Sequence, residues 1–378
     1  MLQDMAYGGT QGDSLFQNSI VASPYLPQQF GYADMMPTQS YFAFAAFAGC
    51  FGGMPYINTS ASIFECLLTK DTRTLQQASA VISASGRFGT WAFLPVTDGQ
   101  LIQDIPSQQL LKQRVNGHRI LSGNNANEAF GFTPPDITTQ GEFTDYLRAL
   151  LPLFDANDIA KLLHYYPSTN ASVDENDPVY ATTGRNPSDS ALNQSSVATG
   201  QQQRAYNLYA ETTFVCPSYW LAEAYALRGG GYASYKYQFS VPPALHAADI
   251  VGYFGYYGSG GPDEPVQPEM QMAFMRIWGN FVIHNDPSIS AAAAAGGANA
   301  NSTAVDGAIT DWPQYSDATP YQINLNVTGG EVQMTANGPV LLGDGVENEF
   351  TLVNAREWED GRGERCDFWR SMGIRVPE

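Results

Sequence analysis

The chain has 378 residues, 44% of them apolar, which is enough to bury a sizeable core in one large domain or in roughly two to three smaller ones. Its 37 acidic and 18 basic side chains leave a formal net charge of −19 at pH 7. So acidic a surface repels phosphate backbones, which excludes nucleic acid as an expected partner. No run of about 18 apolar residues occurs, so we expect no transmembrane helix.

The predicted elements alternate between strands and helices. In the first half of the chain they are a strand at 19–22, a buried helix at 38–49, a second helix near 63–83, a strand at 119–122 and helical spacing across 144–163. The second half has a helix across 201–227, a strand at 233–240, a helix at 269–284, a hairpin from 322–327 and 332–335, and a last helix around Cys366. Such alternation favours an α/β sheet over a β-sandwich. The Pro- and Asn-rich stretch 167–199 is interpreted as an excursion from the domain, and 291–304 as a surface loop.

His246 is the histidine that the predicted elements single out. It follows the strand at 233–240 and two prolines, which place it on a loop at the carboxyl end of a strand, where α/β folds carry catalytic groups. His118, His164 and His284 lie beside predicted strand or helix ends and are interpreted as structural or solvated. On spacing alone, a catalytic and a structural His246 are equal alternatives.

Glu128 is the candidate partner of this histidine. It follows the strand at 119–122 after a glycine and two asparagines, residue types that tolerate tight left-handed turns. A buried carboxylate beside an imidazole holds the ring in one tautomer and stabilises the imidazolium. The structural alternative is an acid at a helix N-terminus, where it interacts with the helix dipole, and for Glu128 taken alone this alternative is the stronger one.

The order of these two residues is that of the serine hydrolases in which a G-x-S-x-G serine comes first, then the acid, then the histidine. No serine of the sequence has glycine at both positions two residues away; the segment 12–16 has only the first glycine. The cysteines are isolated and no His or Cys pair has metal-ligand spacing, so no metal or cofactor is expected. The glycines at 229–231 lack the Lys-Ser/Thr of a phosphate loop and are interpreted as a turn.

Several segments, taken together and in order, resemble the type B carboxylesterase/lipase family. They are the segment 8–20, the Pro-Val-Thr-Asp-Gly run at 95–99, the acid loop at 121–128, the histidine loop at 245–255, and the tryptophan motifs at 278–281 and 312–315. The resemblance implies an α/β-hydrolase fold with Glu128 as the triad acid and His246 as the triad base. Ala129 and Ala247 depart from the family, which often has glycine at these two positions.

The same resemblance implies that the oxyanion loop, the nucleophile elbow and the first sheet strands lie ahead of Met1. We therefore expect an incomplete α/β-hydrolase fold, in which residues 1–378 form the C-terminal part of a single domain and are inactive alone. The complete protein is expected to hydrolyse small-molecule or lipid esters without a cofactor. The alternative is a non-catalytic binding or adhesion module of the same family, which the presence of both Glu128 and His246 argues against.

Cysteines and glycosylation sequons point to a secreted, extracellular protein. Four cysteines allow three full pairings, and the resemblance implies the two bonds Cys50–Cys66 and Cys216–Cys366. Five N-x-S/T sequons are candidate glycosylation sites: Asn58, Asn170, Asn193, Asn301 and Asn326. An even number of cysteines, several sequons and an acidic surface are together typical of secretion.

Overall fold

The strands of the computed structural model form one five-stranded and one two-stranded sheet. The model describes residues 1–51, 60–86, 91–167, 200–255, 267–296, 307–335, 338–342 and 346–376. In chain order the strands are β1 (Asn18–Ala22), β2 (Arg119–Asn125), β3 (Ala233–Phe239), β4 (Tyr321–Thr328), β5 (Glu331–Thr335), β6 (Gly338–Leu342) and β7 (Glu347–Asn354). The larger sheet has the order β1-β2-β3-β4-β7, and β5 pairs with β6.

Helices connect these strands. They are α1 (Leu2–Met5), α2 (Met35–Phe47), α3 (Ser60–Leu68), α4 (Thr72–Ser85), α5 (Pro106–Leu111), α6 (Gln140–Leu150), α7 (Ala156–Tyr165), α8 (Gly200–Ala210), α9 (Cys216–Ala226), α10 (Ile250–Phe254), α11 (Pro268–His284), α12 (Ala291–Ala294) and α13 (Trp358–Ser371). Strands β1 to β4 run parallel and β7 pairs antiparallel with β4. The predicted α/β sheet is therefore confirmed.

The main sheet is covered on both faces. Ile120 of β2 belongs to an apolar cluster with residues of α9 and α13, whereas the next residue, Leu121, belongs to a second cluster with residues of α11. Successive side chains of a strand point to opposite faces, so the two clusters lie on opposite sides of the sheet. A parallel sheet buried in this way has only its strand ends accessible, and these ends are where a site can form.

Three predicted elements differ from the structure. The helix near 63–83 is two helices, because Asp71 accepts a hydrogen bond from the backbone N–H of Thr74 and begins α4. The hairpin of 322–327 with 332–335 is wrong: β4 pairs with β7, and β5 belongs to the other sheet. Part of the predicted loop 291–304 is α12, while residues 297–306 and the excursion at 168–199 lie outside the described residues.

The apolar spacing of residues 201–227 predicts an amphipathic helix, and the structure differs from this expectation too. Almost every residue from 203 to 225 is buried, so apolar and polar side chains alike face protein on all sides. The stretch consists of α8, a wider π-helical turn at Glu211–Val215, and α9. Such turns are rare and occur often at functional sites.

Both predicted disulfides are present. Cys50–Cys66 joins the end of α2 to α3, and Cys216–Cys366 joins the start of α9 to α13. Among the five sequons, Asn326 lies in β4 and is fully buried, which is incompatible with a glycan at this position in the folded chain. The prediction for Asn326 is corrected accordingly. The other four sequon asparagines, Asn58, Asn170, Asn193 and Asn301, lie outside the described residues.

The two disulfides are expected to differ in their contribution to stability. The bonds close loops of 16 and 150 residues. Chain entropy then predicts that removing the short bridge costs about 3 kcal/mol and removing the long one about 5 kcal/mol. Urea unfolding of the paired variants C50S/C66S and C216S/C366S measures both losses under the same conditions. Equal losses, or four reactive thiols in the unfolded wild-type chain, would contradict this prediction.

Candidate functional site

The acid loop and the histidine loop meet because the two strands that precede them are neighbours. β2 and β3 pair in parallel from Arg119 with Ala233 to Asn125 with Phe239, so their carboxyl ends lie at the same edge of the sheet. The pairing continues into the loops, since the backbone N–H of Asn127 donates to the carbonyl of Ala244 at 2.9 Å. These contacts fix one loop against the other.

The Asn127 side chain and a close approach of β2 to β3 also fix the acid loop against the histidine loop. Asn127 Nδ2 donates to the carbonyl of Pro243 at 2.7 Å. Gly123 of β2 lies opposite Tyr237 of β3, and a Cβ atom at position 123 would lie 2.1 Å from the Tyr237 ring. Glycine is therefore required here for the strands to keep their spacing up to the loops.

Glu128 and His246 form a hydrogen-bonded pair. His246 Nδ1 lies 2.5 Å from Glu128 Oε2. The Glu128 side chain is fully buried and that of His246 is 30% exposed. Burial of the ring lowers the pKa of His246, but the hydrogen bond and charge of Glu128 outweigh burial, so this pKa lies above its ordinary value of 6.5. With Nδ1 directed at Glu128, Nε2 is the ring nitrogen available for proton transfer.

The second carboxyl oxygen of Glu128 is held by two polar residues. Ser23, the residue after β1, donates from Oγ to Glu128 Oε1 at 2.6 Å. The backbone N–H of Asn125 donates to the same oxygen at 2.5 Å. Ser23 has a φ of +48°, and its own N–H donates to the carbonyl of Gly123. Three adjacent strands thus contribute to the orientation of one carboxyl group.

Aromatic rings enclose the imidazole. The ring centroid of Phe214 lies 4.5 Å from that of His246, and Phe132 packs edge-on against His246 at 5.3 Å. Phe214 belongs to the π-helical turn at Glu211–Val215, which carries it between α8 and α9. These two rings restrict the imidazole to the plane in which it meets Glu128.

The π-helical turn is anchored by a buried ion cluster. Arg365 donates to both oxygens of Glu211, at 2.7 and 2.8 Å, and Arg362 Nε donates at 3.1 Å. Tyr166 also donates its hydroxyl to Glu211 at 2.5 Å. Burial would raise the pKa of Glu211, but the charge and hydrogen bonds of Arg365 outweigh it and lower this pKa. A fully paired buried acid gives the turn one defined position.

One cavity is lined by His246, and a second cavity lies next to the first. The first has a volume of about 340 Å³ and is lined by Ser23, Tyr25, Trp91, Phe132, Phe214, His246, Asp249 and their neighbours. The second has a volume of about 360 Å³ and lies between α2, α4 and the π-helical turn. Tyr25 and Trp91 line both cavities, so the two spaces are adjacent. The lining of the second cavity is uncharged throughout.

The other histidines lie apart from this site. His118 packs edge-on against Tyr232 at the start of β2, and His164 and His284 lie in the last turns of α7 and α11. The described residues contain no group of three or more His, Cys, Asp or Glu side chains suited to a metal ion. Within the same residues, no helix has both the length and the apolar character for crossing a bilayer.

Sequence reasoning missed four residues of the site: Ser23, Asn125, Asp249 and Phe214. Ser23 directly follows the predicted strand at 19–22, and its position at a strand end was the available signal. Asn125 was assigned only to a turn, although it is the last residue of β2. Phe214 is one of the apolar residues of a predicted amphipathic helix, and no local pattern indicates that its ring reaches His246.

Comparison with known proteins gives one family and several distant relatives. A family model described as the carboxylesterase family matches residues 5–338. The carboxylesterase patB of Penicillium expansum is 27% identical over 219 residues, which cover 58% of this chain and 34% of the relative. Lipase 1 of Geotrichum candidum is 23% identical over 343 residues, which cover 88% and 53%. The chain therefore spans roughly a third to a half of the length of these relatives.

A secreted relative and a solved structure extend this comparison. Secreted lipase 4 of Gibberella zeae is 23% identical over 323 residues, which cover 83% of this chain and 51% of the relative. The crystal structure of Aspergillus niger EstA superposes with a TM-score of 0.65 at 15% identity, over 100% of this chain and 62% of that one. At this identity the likeness concerns the fold, and the α/β-hydrolase fold that the sequence predicts is confirmed.

The pair predicts how His246 titrates. Glu128→Gln removes the charge that favours the imidazolium, so we expect the pKa of His246 to fall by about one unit or more. Histidine-selective NMR measures this pKa directly, because the chain has only 4 histidines. Ser23→Ala leaves the Glu128 contact with His246 in place and is expected to have a smaller effect. An unchanged pKa in the Glu128→Gln variant would show that the pair does not form in solution.

Proposed function

We propose that this chain, which belongs to the carboxylesterase family, carries the acid and the base of an ester-hydrolysing site. The observation that supports the proposal is the 2.5 Å contact between His246 Nδ1 and Glu128 Oε2 at the edge of a cavity. In this assignment Glu128 orients the imidazole and stabilises its protonated form. His246 is the general base and then the general acid.

The reaction proposed for the complete protein is acyl transfer through a serine. The serine hydroxyl gives its proton to His246 Nε2 and its oxygen bonds to the ester carbonyl carbon. His246 then returns the proton to the departing alcohol. A water molecule attacks the acyl-serine with the same histidine as base, which releases the carboxylic acid and restores the serine.

We propose further that residues 1–378, as part of one carboxylesterase domain, do not contain this serine. None of their serines has the flanking glycines of an elbow. Ser23 lines the same cavity as His246, but its hydroxyl donates to Glu128 Oε1, so it supports the acid. The nucleophile and the oxyanion donors would then come from a part of the complete protein other than residues 1–378.

Labelling with a fluorophosphonate probe tests this assignment. Residues 1–378 expressed alone are expected to stay unlabelled, because the probe requires an activated serine. An active carboxylesterase labelled in parallel is the positive control. Labelling that is lost in Ser23→Ala would make Ser23 the nucleophile and overturn the proposal.

Reading the transcript upstream of Met1 completes the test. An in-frame elbow serine supports the enzyme, and the longer translation product should then hydrolyse p-nitrophenyl esters. In that product Glu128→Gln or His246→Gln is expected to lower kcat/KM by about 10³-fold or more. An in-frame elbow with glycine or alanine in place of serine supports the non-catalytic binding module. Full activity in either variant would remove Glu128 and His246 from the mechanism.

The uncharged second cavity suggests an apolar acyl group as its occupant. Ala43 of α2 lines this cavity, whereas Ala46 on the same helix is exposed. In an active product, Ala43→Phe should lower kcat/KM for long acyl esters about 10-fold or more relative to the acetate ester. Ala46→Phe is the matched control and should leave the ratio unchanged. Equal losses for short and long esters would exclude this cavity as the acyl site.

We also propose that the protein is secreted. The two disulfides, Cys50–Cys66 and Cys216–Cys366, are of the kind that persists in oxidising compartments. Lipases named as secreted are among its relatives, which supports this location. Recovery of the protein from the culture medium with both bonds intact is the expected result.

A further inference from the structure

A second buried carboxyl group lies next to the Glu128–His246 pair. Asp249 is 1% exposed and lies three residues after His246, at the start of α10. Acids at this position of a helix usually accept a hydrogen bond from the first-turn backbone. The Asp249 side chain makes no such bond with α10. Its carboxyl group is instead directed at the acid loop.

One amide group connects the two carboxyl groups. Asn125 Nδ2 lies 3.1 Å from Asp249 Oδ1 and 3.4 Å from Glu128 Oε1. The same nitrogen lies 3.1 Å from Ser23 Oγ, which itself donates to Glu128. Asp249 Oδ2 has no hydrogen-bond partner among the described residues, and Asp249 lines the cavity that His246 also lines. A buried oxygen without a partner is costly and calls for an explanation, and this one lies beside the Glu128–His246 pair.

We propose that Asp249 is a positioning residue for His246: through the Asn125 amide, its carboxyl group forms a second acidic group behind the imidazole and sets the protonation of that ring. This assignment rests on the proposed function, because His246 needs a controlled proton only if it acts as a base. Asp249 does not contact the reacting atoms. It acts on them through Glu128 and His246.

The groups that face Asp249 explain its protonation. They are Glu128 of the acid loop, His246, Tyr237 of β3 and Tyr253 of α10. Burial and then the charge of Glu128 raise the pKa of Asp249 to about 6. Above pH 6 the pair Glu128 and Asp249 therefore favours the protonated imidazole more strongly than Glu128 alone.

Acidification reverses this effect. When Asp249 takes a proton near pH 6, the imidazole loses a negative neighbour and its own affinity for a proton decreases. The pKa of His246 is then lower than it would be beside two fixed charges, so a larger fraction of the rings is unprotonated at low pH. Protonation of Asp249 therefore extends to lower pH the range in which the His246 ring can act as a base.

NMR titration of selectively labelled histidines in residues 1–378 tests the proposal. Asp249→Asn keeps the shape of the side chain and an oxygen that can accept from Asn125, but has no charge. We expect the pKa of His246 to fall by about half a unit or more, and the other three histidines to be unaffected. Glu364→Gln, which removes an exposed carboxyl group from α13, controls for net charge. An unchanged pKa in Asp249→Asn would overturn the proposal.

The wild-type chain offers a second measurement that needs no variant. The His246 resonances should show an additional inflection near pH 6, together with titration of the Asp249 carboxyl carbon. A single-site curve for His246 with no inflection near pH 6 would count against the proposal even if Asp249→Asn does not fold.

Stability provides an independent readout with a defined sign. A carboxyl group whose pKa is raised on folding stabilises the fold below its unfolded pKa, and this contribution is lost as the pH rises through about 6. Asp249→Asn should therefore melt at a higher temperature than wild type at pH 8, and the difference should shrink as the pH falls towards 4. A constant difference across this range would indicate a packing effect and contradict the assignment.

The outcomes separate this inference from the proposed function. A shift of His246 in Glu128→Gln without a shift in Asp249→Asn rejects the role of Asp249 and leaves the ester-hydrolysing assignment intact. Shifts in both variants, with no esterase activity in any longer product, retain the electrostatic coupling of Asp249 to His246 but reject the enzyme and, with it, the positioning role.

Discussion

The parallel pairing of β2 with β3 is the constraint on which the site depends. It brings the ends of two strands, which are more than a hundred residues apart in sequence, to one edge of the sheet. The loops that follow continue the pairing through Asn127 and Ala244, so Glu128 and His246 meet at 2.5 Å. A slip of one residue would turn every side chain of the shifted strand to the opposite face and separate the pair.

The polar part of the site is buried, and each group in it is oriented by a neighbour. Glu128 is held at one oxygen by Ser23 and Asn125 and at the other by His246. In a medium of low polarity these hydrogen bonds are stronger than in water, while an unpaired group is more costly. Asp249 has one oxygen without a partner among the described residues, and burial together with the charge of Glu128 favours the protonated form of its carboxyl group.

The π-helical turn and the C-terminal helix, α13, also support the imidazole. Phe214 contacts His246 from the π-helical turn at Glu211–Val215, and Glu211 is bound by Arg362 and Arg365 of α13. The disulfide Cys216–Cys366 joins α13 to the first residue of α9, directly after the π-helical turn. Packing, ion pairs and a covalent bond therefore all hold the π-helical turn, which connects the C-terminal helix to the imidazole of His246.

The amino-acid pattern was sufficient for features that depend on local spacing or on ordered motifs. It predicted the α/β alternation, the strands that precede Glu128 and His246, and, through family resemblance, both disulfides. It did not predict the partner of β4, the positions of Ser23, Asp249 and Phe214 around the pair, or the burial of Asn326. These features arise from contacts between residues distant in the chain, and periodicity within one element contains no information about which element lies across from it.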